Sequence, residues 1–341
     1  MTAPSNRLNT IFGSLEAAGY PRDLQRLLLP DWVTPEVLSD DATSAEVATI
    51  LAKRLGLRPT SLFSQTPHIE TLRRRNTKYK RSIPNKSKNL TAATAVAVSV
   101  AETIASVCRI PFSPFPTNAQ GFRHAVLTDF PGNWLGLRNL LMYCWAHGVP
   151  VVYLAEIGQG VAKMDGMVVQ TDGRPVIVIS KNADLWAWQL FVLAHEMAHI
   201  ALGHVEPDEI LIDEELGKES YAMEDPDVDE RAADAFAIEV LNGRPDATYR
   251  VSDEQANAPT LAKAAFDHGK PQQIDPGHIV LNFAHHSGNW PVGFAAAKIL
   301  QGNNPAAGVV INEAMWRELD PEAFSDDTLE FLRRATGSSA S

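Results

Sequence analysis

The chain has 341 residues, two cysteines and a formal net charge of −11. That length exceeds a typical single domain, so two domains, or one domain with an extension, are expected, and an apolar fraction of 45% suffices for an ordinary buried core. Cys108 and Cys144 stand in different segments outside any CxxC pattern, which excludes a disulfide scaffold and a thiolate zinc site and fits a reducing cytosol. No basic stretch followed by an apolar one opens the chain, so no secretory signal is expected. Residues 92–107 are apolar but short, rich in Ala, Ser and Thr, and carry Glu102; they read as a buried helix rather than a membrane span. The expected location is cytoplasmic.

In chain order, residues 1–70 read as short helices. Thr43 or Ser44 can cap a helix through AEVATILAKRLGL, with Val47, Ile50, Leu51 and Leu55 on one face and Gly56 near its end. The phrase TSAEVATILAKRLGLRPTSLF resembles the closing helices of a phage-repressor helix-turn-helix domain. Residues 22–41 match that pattern poorly, since Pro30 and Pro35 fall where a reading helix should be continuous. Residues 1–84 are thus expected to be a degenerate repressor-like unit ending in a basic linker. Residues 73–88 hold eight Lys or Arg and no acid. They suit a nucleic-acid backbone or an acidic partner, or else a solvated linker.

A boundary falls at 85–89, followed by a helix from near Leu90 that ends at Pro111, Pro114 and Pro116. A helix over 134–147 presents Leu137, Leu140, Leu141 and Cys144, and residues 149–154 read as a strand. Residues 161–170 and 175–180 form a hairpin through Asp172-Gly173, whose second strand could pair with an extended peptide by β-addition. A helix over 183–205 follows. Residues 206–239 hold fourteen Asp or Glu against Lys218 and Arg231, and 207–226 read as a long acidic connection with at most a short helix. Asp227 can cap a helix over 228–241 with Ala232, Ala235, Phe236 and Val240 as its apolar stripe, stopped by Gly243 and Pro245. Helical pieces are expected near 259–268, 276–286 and 291–301, and a frayed end over 336–341. The fold class is α+β, mostly helical, with a small sheet beside the helix of 183–205.

That helix contains HEMAH at 195–199. Residues i and i+4 share a helix face, so His195 and His199 project together roughly 6 Å apart along the axis, as two imidazoles sharing one tetrahedral Zn²⁺ require. Glu196 can then reach a water bound at the same ion. A further ligand is needed, and helix 228–241 offers Glu230 to coordinate and Asp234 to hold the other nitrogen of a ligating histidine. Carboxylates on an apolar face are costly unless they bind something. Asp229 and Glu224 remain alternatives on these grounds. His204, five residues beyond His199, lies about 140° away around a continuing helix, drops out of the ligand set and reads as structural or near the rim of the site. A developing oxyanion would need a further donor, for which Tyr153, Tyr221, His204, His285 and His286 are unranked candidates.

FVLAHEMAHIALGH followed by DERAADAFAIEVL resembles the ImmA/IrrE family of cytosolic zinc metallopeptidases over roughly residues 134–243, with weaker similarity at IDPGHIVLNFAHHSG. The resemblance implies a zincin-like core over residues 90–250, a C-terminal helical extension over 251–341 and one Zn²⁺ per chain. It implies His195, His199 and Glu230 as ligands and Glu196 as catalytic base. It also implies a helix-turn-helix repressor protein as substrate, in a stress or mobile-element response. The competing expectation is a DNA-binding regulator or toxin–antitoxin component in which the zinc site is structural.

Overall fold

A computed structural model describes residues 4–72, 76–80, 90–159, 161–181, 184–207, 209–213, 227–250 and 257–338. Among them are fifteen α-helices: α1 (Asn6–Ala17), α2 (Arg22–Leu27), α3 (Pro35–Ser39), α4 (Ser44–Arg54), α5 (Pro59–Leu62), α6 (Thr91–Val107), α7 (Ala119–Asp129), α8 (Leu137–Ala146), α9 (Trp186–Ala201), α10 (Val228–Asn242), α11 (Ala258–Gln272), α12 (Pro276–Ser287), α13 (Trp290–Gln301), α14 (Ala307–Glu318) and α15 (Asp326–Thr336). Five strands, β1 (Asn76–Lys80), β2 (Val151–Tyr153), β3 (Gly166–Thr171), β4 (Arg174–Ile179) and β5 (Glu209–Asp213), form one mixed sheet in the order β1-β5-β3-β4-β2. The fold is α+β and mostly helical.

The sheet is covered on both faces, and alternation along its strands assigns each residue to a side. Met167, Val169, Val176, Val178, Ile210 and Ile212 face a core built from α1, α2, α4, α6 and α15. Val168, Ile177 and Ile179 face the opposite core, built from α7, α8, α9, α10 and part of α14. This is why PVIVI in β4 is apolar at every position rather than at every second one. Residues from 1–84 and from 251–341 meet in the first core: Arg54 lies over the Phe331 ring at 4.1 Å and donates to Asp327 O at 2.6 Å. A third core joins α11, α12 and α13. Arg123 on α7 ties it to the second, donating to Val240 O and Leu241 O of α10 at 2.8 and 3.1 Å and to Gln272 O and Gln273 O of α11 at 3.0 and 2.7 Å. One guanidinium thus satisfies carbonyls left over at two helix ends.

The hairpin forms as expected. Asp172 and Gly173 have φ of 51° and 76°, the left-handed pair of a tight two-residue turn. Three expectations fail for tertiary reasons. The described part of the acidic connection is not loop or helix but strand β5, between β1 and β3. Its parallel partner β1 comes from the basic segment, and Lys78 Nζ sits 3.0 Å from Glu209 Oε2. Opposite charge runs far apart in sequence meet there across one ladder. Residues 73–75, 81–89 and 214–226 lie outside the described residues. Second, β4 is interior, flanked by β3 and β2, so it has no edge to offer an extended peptide. On the outer side of β2, Asn312 of α14 accepts from Tyr153 N at 2.9 Å and donates to Tyr153 O at 2.8 Å, filling a strand's place. Third, the chain is not frayed from Thr336: Thr336 ends α15 and its carbonyl accepts from Asn312 at 2.9 Å. No helix among the described residues is long and apolar enough to cross a membrane. α6, the apolar helix, packs on β3 and β4 instead.

Candidate metal centre

β4 runs into α9, which is buried at every residue from Gln189 to His199. A helix that is apolar around most of its circumference is a core helix, and α9 sits between the sheet and α8, α10 and α12. Its two histidines and Glu196 are fully buried.

α10 crosses α9 and supplies the carboxylates. Asp227 caps it, accepting from Asp229 N at 2.9 Å, and Gly243 ends it at φ 73°. The face turned inward is Glu230, Ala233, Asp234, Ala237 and Leu241. The expected stripe was off by part of a turn: Phe236 and Val240 are buried, but Ala232 and Ala235 are only half-buried. In a helix whose neighbours on both sides are alanines, apolarity alone does not separate adjacent faces. Glu230 and Asp234 do mark the right one.

His195 Nε2 and His199 Nε2 are 2.9 Å apart. Glu230 Oε2 is 3.5 Å from the first and Glu230 Oε1 is 3.3 Å from the second. A tetrahedral zinc with ligand bonds near 2.0–2.1 Å separates its donor atoms by about 3.3 Å. The three side chains therefore fit a zinc ion in both donor type and spacing, and they are the cluster of this kind among the described residues. Burial alone would raise the Glu230 carboxyl, but hydrogen bonds and charge from His195 and His199 outweigh it and hold it far below the usual carboxylate range.

Each histidine is backed on its other nitrogen. Asp234 Oδ1 lies 2.9 Å from His195 Nδ1, as expected of a carboxylate that orients a ligating imidazole. His199 Nδ1 faces His204 Nδ1 at 2.9 Å, and His204 Nε2 lies 3.9 Å from Asp229 Oδ1. His204 is thus outside the ligand set, as expected, yet touches a ligand. The 140° offset assumed a helix that continues; instead α9 ends at Ala201 and Gly203, at φ 72°, turns the chain back.

Gly166 was missed in the sequence. It opens β3 directly beneath Glu196: a Cβ on Gly166 would stand 1.9 Å from Glu196 Oε1 and 2.6 Å from its Cδ. Glycine inside a strand often marks close approach of another group, and that signal was available. Gly166→Ala is expected to push the flexible Glu196 carboxylate aside while sparing the ligands. If Glu196 serves as the base proposed below, turnover should fall about a hundredfold, the cost of misplacing such a group by about 1 Å, with bound zinc unchanged. Turnover assays with metal analysis on the same sample check it.

Among the described residues, the remaining candidates are not part of the cluster. Tyr153 OH donates to Ser180 O at 3.3 Å, its ring lies against Gly308, and burial pushes its hydroxyl up to about 12. His285 and His286 end α12, with His285 beside Trp290. Tyr221 and Glu224 lie outside the described residues.

Comparison with known proteins adds one match. Residues 144–254 fit the family model described as the IrrE N-terminal-like domain, Peptidase_M78. No curated protein and no solved structure matches the chain. The matched segment runs from the end of α8 through the whole of α10 and contains the two histidines, Glu196, Glu230, Asp234, His204 and Gly166. Over residues 144–254 the chain is thus similar to the IrrE N-terminal-like domain, and the donor set it holds there is metallopeptidase-like.

Proposed function

We propose that the chain is a zinc-dependent endopeptidase that cleaves a helix-turn-helix transcriptional repressor in a stress or mobile-element response. The observation that carries the reading is the buried His195–His199–Glu230 cluster with Glu196 beside it on the same helix. The repressor as substrate rests on the resemblance of residues 134–243 to the ImmA/IrrE peptidases and on the repressor-like phrase at 43–63.

His195, His199 and Glu230 would hold the ion, which when bound supplies a Lewis acid for the scissile carbonyl. Glu196 would take the proton of the attacking water and return it to the leaving amine. Gly166 leaves the room in which that carboxylate sits, and Asp234 keeps His195 turned with Nε2 toward Glu230. Burial of the site excludes bulk water, which strengthens each of these polar contacts.

The test is incubation with the helix-turn-helix protein encoded nearest to this gene, with and without chelator, read by intact mass. Two fragments whose masses sum to the repressor plus one water, absent with chelator, are expected. An intact repressor beside fully zinc-loaded protein would favour a structural zinc site in a regulator.

A further inference from the structure

We infer that His204 is a positioning residue for the metal centre, setting which nitrogen of His199 carries the proton; this rests on the zinc-site reading above. The two Nδ1 atoms face each other at 2.9 Å. At that distance one nitrogen must donate and the other accept, since two N–H groups, or two lone pairs, would repel. His199 turns Nε2 toward Glu230 and His195, so a ligating His199 must keep that lone pair free and carry its proton on Nδ1. It then donates to His204 Nδ1, which must accept, and the proton of His204 falls on Nε2, the atom turned toward Asp229. With the opposite arrangement, His204 would donate from Nδ1, His199 would carry its proton on Nε2, and that nitrogen could not bind a cation.

The backbone holds this geometry. Leu202 N donates to Ala198 O at 2.9 Å, Gly203 N to Ile200 O at 3.2 Å and His204 N to His199 O at 2.9 Å, a helix end closed by a left-handed glycine. The side chain of His204 is only 13% exposed, whereas that of Asp229 is 43% exposed. The two ligands are therefore supported unequally. His195 is backed by a buried carboxylate directly, and His199 by an imidazole with its own carboxylate at the surface.

The experiment compares native protein, His204→Gln and His204→Leu for Zn²⁺ affinity by competition with a chromophoric chelator, with Co²⁺ spectra as a second reading of the ligand field. Glutamine can still accept through its Oε1; leucine cannot. His204→Leu should bind Zn²⁺ at least about tenfold more weakly and shift the Co²⁺ bands, while His204→Gln should stay within about threefold of native. ¹⁵N spectra of the native zinc-loaded protein, which need no variant to fold, should show His204 protonated at Nε2. Native affinity in His204→Leu, or a proton on His204 Nδ1, would overturn the inference. A native protein that binds no Zn²⁺ would instead overturn the metal-centre reading beneath it.

Discussion

Glu196→Gln is expected to lower peptide-bond hydrolysis by about 10²–10⁴-fold, the range contributed by a positioned acid–base group, while zinc content stays at that of the native protein. Glutamine keeps the length and shape of the side chain, so it fits the same space over Gly166, and it leaves His195, His199 and Glu230 in place. What it loses is the capacity to take a proton and return it. The measurement is turnover on the proposed repressor substrate beside metal analysis of the same preparation. A Gln variant as active as the native protein would remove Glu196 from the chemistry. A variant that had lost its zinc would mean that Glu196 supports the site in some way other than proton transfer.

Acid should destabilise the fold through a residue remote from the zinc ligands. His278, on α12, is fully buried, and its Nε2 faces Asn242 Nδ2 at 2.9 Å. The orientation of that amide is settled by its other contacts: Asn242 Nδ2 donates to Ile238 O at 2.8 Å and Asn242 Oδ1 accepts from Tyr249 OH at 2.9 Å. His278 must therefore accept, and a protonated ring would set donor against donor. Burial, assisted by the charge of Arg123, lowers His278 to about 3. The unfolded chain takes up this proton below about 6.5, so stability is full above that value and falls as acid is added, levelling near pH 3. From pH 7 to pH 4 the loss is about 3 kcal/mol. Asp275, which caps the same helix, acts in the opposite sense. Burial raises it to about 6 against the hydrogen bonds from His278 N, Gly277 N and Trp134, so the fold binds its proton first. That returns about 2 kcal/mol over the same range, and His278 prevails. His278→Gln, which can still accept from Asn242, should retain about 3 kcal/mol more of its pH 7 stability at pH 4 than the native protein does. Urea unfolding at a series of pH values reads this directly, because every other group is common to the two proteins and cancels in the difference. Equal slopes would assign the acid sensitivity to other groups.

Much of the fold was legible because local pattern carries it. The Asp172-Gly173 turn, the Gly243 stop and the Asp227 cap are each the consequence of one or two residues' own backbone preferences. α7 was not recognised, and α14 and α15 were expected only as unassigned parts of a helical extension over 251–341. α7 and most of α14 are buried in the second core and α15 in the first, neighbours that no local pattern names. Strand β5 was hidden for a related reason. EILID reads as a short apolar stretch in an acidic loop until a neighbour supplies its ladder, and that neighbour lies in a basic segment more than a hundred residues earlier.

The metal centre divides along the same line. His195 and His199 share a face because four residues make slightly more than one helical turn, so their pairing is local and was readable from HEMAH alone. Glu230 and Asp234 share a face for the same reason, and their candidacy was readable from ERAAD. Which of the two coordinates, and against which histidine, depends on how α10 crosses α9, and no periodicity within either helix contains that angle. The positions of His204 and Gly166 depend on more distant geometry still. His204 reads as structural or at the rim of the site, but its contact with His199 was not legible because the helix stops where a continuing one was assumed. Gly166 was overlooked because a missing side chain matters only when another residue needs its space.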